Sequence, residues 1–106
     1  MVVRVLLRRG FDMSDSEAVI ERYFINQCEA NGWMCLKLVD RGRRGFPDRT
    51  VLKHSGDHFF AELKCEGGKL SALQKMRIRQ IRMKGHRVYI CWSKVEVDKM
   101  MEIESQ

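Results

Sequence analysis

Between Gly45 and Lys64 the sequence spells out a β-hairpin, and that hairpin limits what the rest of the chain can do. An apolar-alternating run (Thr50 to Lys53) leads into a polar turn (His54-Ser55-Gly56-Asp57), and a second apolar run starts at His58-Phe59-Phe60. Successive side chains of a strand point to opposite faces, so Glu62 and Lys64 share one face and Leu63 takes the other. Folding about Ser55-Gly56 brings Asp48 opposite Glu62 to Lys64, in a register that can slip by one residue. Opposed strand positions hold their Cβ atoms about 5 Å apart, so two carboxylates and an ammonium converge on one patch. Acids that close raise each other's pKa unless positive charge lies between them. A hard divalent cation with a preference for oxygen is the natural occupant. Each piece alone has a plainer reading: Asp48 caps the turn after Pro47, and Glu62 and Lys64 are ordinary strand-surface charges. Their combination at hairpin spacing favours the metal site.

Charge bears on what would approach such a patch. Lys and Arg number 20 against 14 Asp and Glu, a formal charge of +6. A small basic domain suits a polyanion, because each cation placed on a phosphate releases condensed counterions; a merely soluble basic protein is the other reading. The 106 residues suffice for one domain, taken as 14–106, with 1–13 as a tail or edge segment. Val3, Val5 and Leu7 alternate as in an edge strand, or Met13 is the start and the preceding residues a tail. Cys28, Cys35, Cys65 and Cys91 lie in or beside apolar runs with no ligand spacing, as expected of reduced thiols in a cytoplasm. No run approaches the ~18 apolar residues of a membrane span.

Taken in order, Ser14 to Asn31 reads as a helix, with Ser14 and Glu17 at capping-box spacing and Asn31-Gly32 as its stop. Ile20, Tyr23, Phe24, Gln27 and Cys28 form its inner face. Trp33 to Asp40 alternates as a strand. It feeds a loop, Arg41 to Gly45, in which glycines let the backbone approach a ligand and Arg41, Arg43 and Arg44 can fork onto phosphate oxygens. Pro47 biases Phe46 to an extended conformation and suits a strand entrance. After Lys64 comes a turn carrying Lys69, then a helix from Ala72 to Lys84 capped by Ser71, with Gln74 at the capping-box position. Lys75, Arg79 and Arg82 make a basic stripe along it, with Arg77 and Lys84 nearby; such stripes usually face solvent, and here DNA-backbone contact is the alternative. His86 to Trp92 is a β-branched and aromatic strand expected to be central, and Ser93 opens a last helix. His54, His58 and His86 share no ligand spacing.

The order is α-β-β-β-α-β-α. A helix between the third and fourth strands permits one parallel pairing in an otherwise antiparallel sheet, an α/β core with a mixed four-stranded sheet flanked by helices.

Pro47-Asp48 followed by Glu62-Leu63-Lys64 resembles the PD-(D/E)xK nuclease motif. The wider pattern resembles the VRR-NUC branch, the virus-type replication and repair nuclease domain. It has an early helix with a Glu (Ser16-Glu17-Ala18-Val19-Ile20), a Gly-rich approach to the Pro-Asp pair (Arg41 to Asp48), and Gly-Lys-Leu-Ser-x-x-Gln (Gly68 to Gln74). The resemblance runs from Ser14 to Ser93 in the family's order. One residue departs from it: Arg49 stands where an apolar strand residue is expected.

The resemblance implies a restriction-endonuclease-like fold and a site made of Glu17, Asp48, Glu62, Lys64 and Gln74. Mg²⁺ or Mn²⁺ would be held by Asp48, Glu62 and the Leu63 backbone carbonyl. Glu17, which matches the family position better than Glu21, would add a ligand or hold a water unless it only caps its helix. Lys64 would orient or deprotonate the attacking water. The implied activity is metal-dependent, structure-specific DNA endonucleolysis on branched DNA such as Holliday junctions, in the cytoplasm of a bacterial or phage-infected cell. Arg41, Arg43, Arg44, Lys69, Lys75, Arg79 and Arg82 would bind DNA. The runner-up is a non-catalytic DNA-binding or partner-binding domain that kept the fold. Two symmetric nicks call for a homodimer, and Val2 to Leu7, Met100, Met101 and Ile103 lack a place in the core pattern and so suggest its interface.

Overall fold

The hairpin reverses where its residues tolerate left-handed backbone: Ser55 (φ 61°) and Gly56 (φ 79°) lie in the 3-10 turn His54–Gly56. The computed structural model describes residues 15–40 and 42–106. The turn joins β2 (Arg49–Leu52) to β3 (His58–Leu63). They pair antiparallel with Arg49 opposite Ala61 and Val51 opposite Phe59, so one step further back Asp48 falls opposite Glu62. A one-residue slip would turn Val51, Phe59, Ala61 and Leu63, all 0% exposed, out of the core, which is why this register holds.

The remaining elements are α1 (Glu17–Ala30), β1 (Met34–Leu36), α2 (Ala72–Met83), β4 (Val88–Cys91) and α3 (Lys94–Glu104). The sheet order is β1-β2-β3-β4, antiparallel except for β3 and β4, which α2 connects in parallel. The fold is therefore the expected mixed four-stranded α/β sheet with three helices. Helices α1 and α3 cover one face, where Ile20, Phe24, Val97 and Met100 pack on Val51, Phe59, Leu63 and Tyr89. Helix α2 covers the other, with Ile78 and Ile81 on Val88 and Ile90.

Four local expectations change. The cap of α1 is Ser16, whose side chain accepts from the Val19 N–H at 3.2 Å; Glu17 is the first helical residue and Ser14 lies outside the described residues. Strand β1 stops at Leu36, because its partner β2 begins at Arg49 and the pairing ends at Leu36–Thr50; Leu38 and Val39 are exposed. β4 ends the strand order among the described residues instead of standing inside it. It is still buried at all four positions, since helices cover both of its faces. Met100 and Met101, expected to lack a place in the core, are 1% and 7% exposed within it, because α3 turns that side onto the sheet. The segment 1–13, including Val2 to Leu7, lies outside the described residues. All four cysteines are free thiols, with Cys28 and Cys91 buried. Among the described residues no helix is long and apolar enough to cross a membrane.

Candidate active site

At the end of the hairpin away from its turn, β2 and β3 bring their polar residues to the α2 side of the sheet. Asp48 and Glu62 fasten this end reciprocally. The Asp48 backbone N–H donates to Glu62 Oε1 at 3.2 Å, and the Leu63 N–H donates to Asp48 Oδ2 at 3.0 Å. A strand residue's C=O points to the same side as its N–H, so the Leu63 carbonyl faces Asp48 as well. Lys64 shares the face of Glu62, with Nζ 4.0 Å from Glu62 Oε2.

Helix α2 supplies the next member. Gln74 Nε2 donates to Glu62 Oε2 at 3.0 Å. The same amide caps its helix: Gln74 Oε1 accepts from the Ser71 N–H at 2.8 Å while Ser71 Oγ accepts from the Gln74 N–H at 3.0 Å. The capping box read from the sequence is present, and it aims Gln74 at the acid pair.

The Glu62 carboxyl is buried, and burial pushes its pKa up to about 8; the Asp48 charge pushes the same way, Lys64 and the Asp48 amide pull back, and Glu17 adds a further push. Glu17 is exposed at the start of α1, near enough for its charge to be felt at Glu62. Glu21 is engaged elsewhere: Arg49 Nε lies 2.8 Å from Glu21 Oε2. The arginine that departs from the expected pattern thus holds the competing glutamate. Among the described residues no three His, Cys, Asp or Glu side chains gather closely enough to hold a metal ion. Side-chain donors here are the pair Asp48 and Glu62, with main-chain oxygen beside them. That set fits a hard cation: its donors are all oxygen, and its buried carboxylate lacks a full counter-charge. The histidines take no part; His58 Nε2 lies 3.2 Å from His86 Nδ1 at the other end of β3.

The loop before Pro47 is pinned to α2. A Cβ on Gly45, which has φ 85°, would lie 2.8 Å from Leu73 Cγ and 3.0 Å from the Leu73 carbonyl oxygen, so a side chain is excluded there. Arg77 Nε donates to the Arg44 carbonyl at 2.8 Å, and its guanidinium stands 5.7 Å from the Phe46 ring centroid. Arg77 is therefore a buttress of the loop, a role foreshadowed only by its spacing of one helical turn from Gln74. Arg43 and Arg44 are exposed on that loop, as are Lys69, Lys75 and Arg79 further along. Arg41 lies outside the described residues. Arg82 is half-buried and donates through Nε to the Val88 carbonyl at 3.2 Å, bracing β4.

No family profile matches the chain. Over 74 residues it is 32% identical to "Putative nuclease p44" of Acyrthosiphon pisum secondary endosymbiont phage 1, covering 70% of this chain and 80% of that protein. A solved structure described as a VRR_NUC domain superimposes with a TM-score of 0.77 at 30% identity, covering 83% of this chain and 97% of that one.

Proposed function

This chain belongs to the VRR-NUC family, and from that premise we propose that it is a divalent-metal-dependent endodeoxyribonuclease. The observation that carries the reading is the buried Glu62, set opposite Asp48 and tethered by Gln74, with less positive charge around it than two carboxylates require. Asp48, Glu62 and the Leu63 carbonyl would hold Mg²⁺ or Mn²⁺. When bound, such a cation supplies Lewis-acid stabilisation for phosphodiester hydrolysis.

The chain's own residues do the rest. Gln74 fixes one oxygen of Glu62 and so sets the direction of the carboxylate. Lys64, on the same face, orients the attacking water or takes its proton, and its charge offsets the negative charge that builds on the phosphate. Glu17 adds negative potential from the start of α1 and can hold a water at the margin of the site. Arg43, Arg44, Lys69, Lys75 and Arg79 meet the DNA backbone; Arg82 contributes charge from a braced position. In this reading the substrate is branched DNA recognised by shape, a four-way junction being the symmetric case. One site per chain then makes a homodimer the active species, through a surface that does not include the buried Met100 and Met101.

The test is cleavage of linear duplex, flap and four-way junction with and without Mg²⁺, alongside light scattering for mass. We expect metal-dependent cutting of branched DNA by a dimer, and an Asp48→Asn protein that binds but does not cut. Cutting by Asp48→Asn at the wild-type rate would overturn the site assignment. A monomer with full junction activity would remove the dimer.

A further inference from the structure

One strand away from Glu62 the polar site gives way to an apolar groove. Ile90 is the parallel partner of Glu62, so the two side chains stand on one face of the sheet about 4.8 Å apart. Leu70, Ile78 and Ile90 floor the groove, which encloses about 420 Å³, and Met83, 77% exposed, closes its far end. That volume lies within the range of ligand sites, roughly 300–1,000 Å³. Along the α2 side the exposed Lys75 and Arg79 form a cationic rim. They lie one helical turn apart, about 6 Å along the axis, which is comparable to the spacing of neighbouring phosphates on one strand. Arg82 completes the wall and is committed to the Val88 carbonyl.

An apolar floor, a cationic rim and a place one strand from a carboxylate pair select one kind of occupant. A stacked base pair offers the protein only its edges, and these cannot fill a concave apolar floor. A nucleotide swung out of the stack offers both a flat apolar face and a phosphate. We propose that this groove is a subsite for one unstacked nucleobase of the strand being cut, with Lys75 and Arg79 holding the phosphates beside it. The proposal rests on the nuclease reading and sharpens its substrate class. The preferred DNA carries an unpaired or easily unpaired nucleotide next to the scissile phosphate, as at a flap base, a bulge or the centre of a junction. Fully stacked linear duplex is the poor substrate.

An abasic scan tests this on the wild-type protein. A forked DNA is made with a single base deleted at successive positions, its phosphates intact, and binding is measured in EDTA so that no strand is cut. Deleting one base, or two adjacent ones, should weaken binding about tenfold, and every other deletion less than about twofold. Leu70→Ser should show the same loss on intact DNA and no further loss at the sensitive position. Met83→Ala, at an exposed site, gives a milder version should Leu70→Ser fold poorly. Lys75→Ala with Arg79→Ala should instead weaken all these DNAs alike and lower the salt slope by about two counterions. A flat scan from a protein that still cuts forked DNA in Mg²⁺ would overturn the base subsite and leave the nuclease reading standing. A protein that neither binds nor cuts any of these DNAs overturns both.

Discussion

Glu62 and Glu104 are the same side chain at nearly the same depth, 1% and 4% exposed, at opposite ends of the hairpin. Their surroundings differ in kind. Glu104 receives Arg87 Nε at 2.7 Å and Lys53 Nζ at 2.9 Å, and the Tyr89 hydroxyl also donates to it. Burial pushes its pKa up, but the hydrogen bonds from Arg87, Tyr89 and Lys53 outweigh burial and leave it below the ordinary carboxylate value. Glu62 receives two neutral donors, stands beside a second carboxylate and has its nearest ammonium 4.0 Å away, so burial wins. The chain completes the shell of Glu104 by itself. At Glu62 it stops short, and under the proposed function a divalent cation would supply the rest. Burial alone therefore does not single out a carboxylate as a candidate for function; burial without enough counter-charge does.

Exchanging each glutamate for glutamine should separate the two ends most sharply. Glu104→Gln removes the buried anion that Lys53 and Arg87 share and leaves them only the exposed Asp57 as anion, 3.3 and 2.9 Å away. It should cost about 3 kcal/mol, near the lower end for a broken buried pair because Arg87 retains access to water. Cleavage by whatever remains folded should be unchanged. Glu62→Gln should abolish cleavage and leave metal-free stability at pH 8 equal to wild type or higher. Urea unfolding and a cleavage assay on both variants read the pair of outcomes; a reversed pattern would dissolve the contrast.

Next in size is the response to metal. At a Mg²⁺ concentration of 100 times Kd, the wild-type protein should gain about 2.7 kcal/mol in unfolding free energy. Glu62→Gln should gain far less, and Glu104→Gln should keep the full increment. Equal gains in all three would place cation binding somewhere other than the acid pair.

The smallest effect is the pH slope of the metal-free protein, and its sign differs between the two ends. A raised carboxyl pKa means that the folded state binds the proton more tightly than the unfolded one. The contribution of Glu62 is thus complete below about 4.5 and lost as pH rises towards about 8, at no more than about 1.4 kcal/mol per pH unit. Glu104, with its pKa lowered, contributes stability above the ordinary glutamate value that disappears as pH falls below it. Melting temperatures across pH 3 to 9 should therefore fall on both sides of a maximum, and Glu62→Gln should flatten only the alkaline side.

The Glu62 end was legible in the sequence because its parts obey short-range rules. Period-two alternation places Glu62 with Lys64, the turn sets Asp48 opposite, and the capping-box spacing from Ser71 locates Gln74. The Glu104 end is built from residues far apart in the chain, Lys53, Arg87, Tyr89 and Glu104, whose meeting depends on how α3 returns to the sheet; no local pattern announces it. Arg49 looked like a fault in a strand for the same reason, since its partner Glu21 lies on another element. Ser14 has capping-box spacing to Glu17, and that spacing alone does not fix where the first turn of α1 closes, which is at Ser16. Met100 and Met101 seemed surplus because a count of apolar residues does not show which side of α3 faces inward.

The double engagement of Gln74 narrows the chemical alphabet at that position. The side chain there must accept from one backbone amide and donate to a carboxylate across the gap to β3. Glutamate could accept but would bring a third negative charge to an acid pair already short of positive charge. Lysine and arginine could donate but not accept, and asparagine carries both functions on a stem one methylene shorter. Glutamine is the long, neutral side chain that does both. A substitution there is read at two places at once, in the first turn of α2 and in the aim of Glu62, so no single replacement can tune one and spare the other.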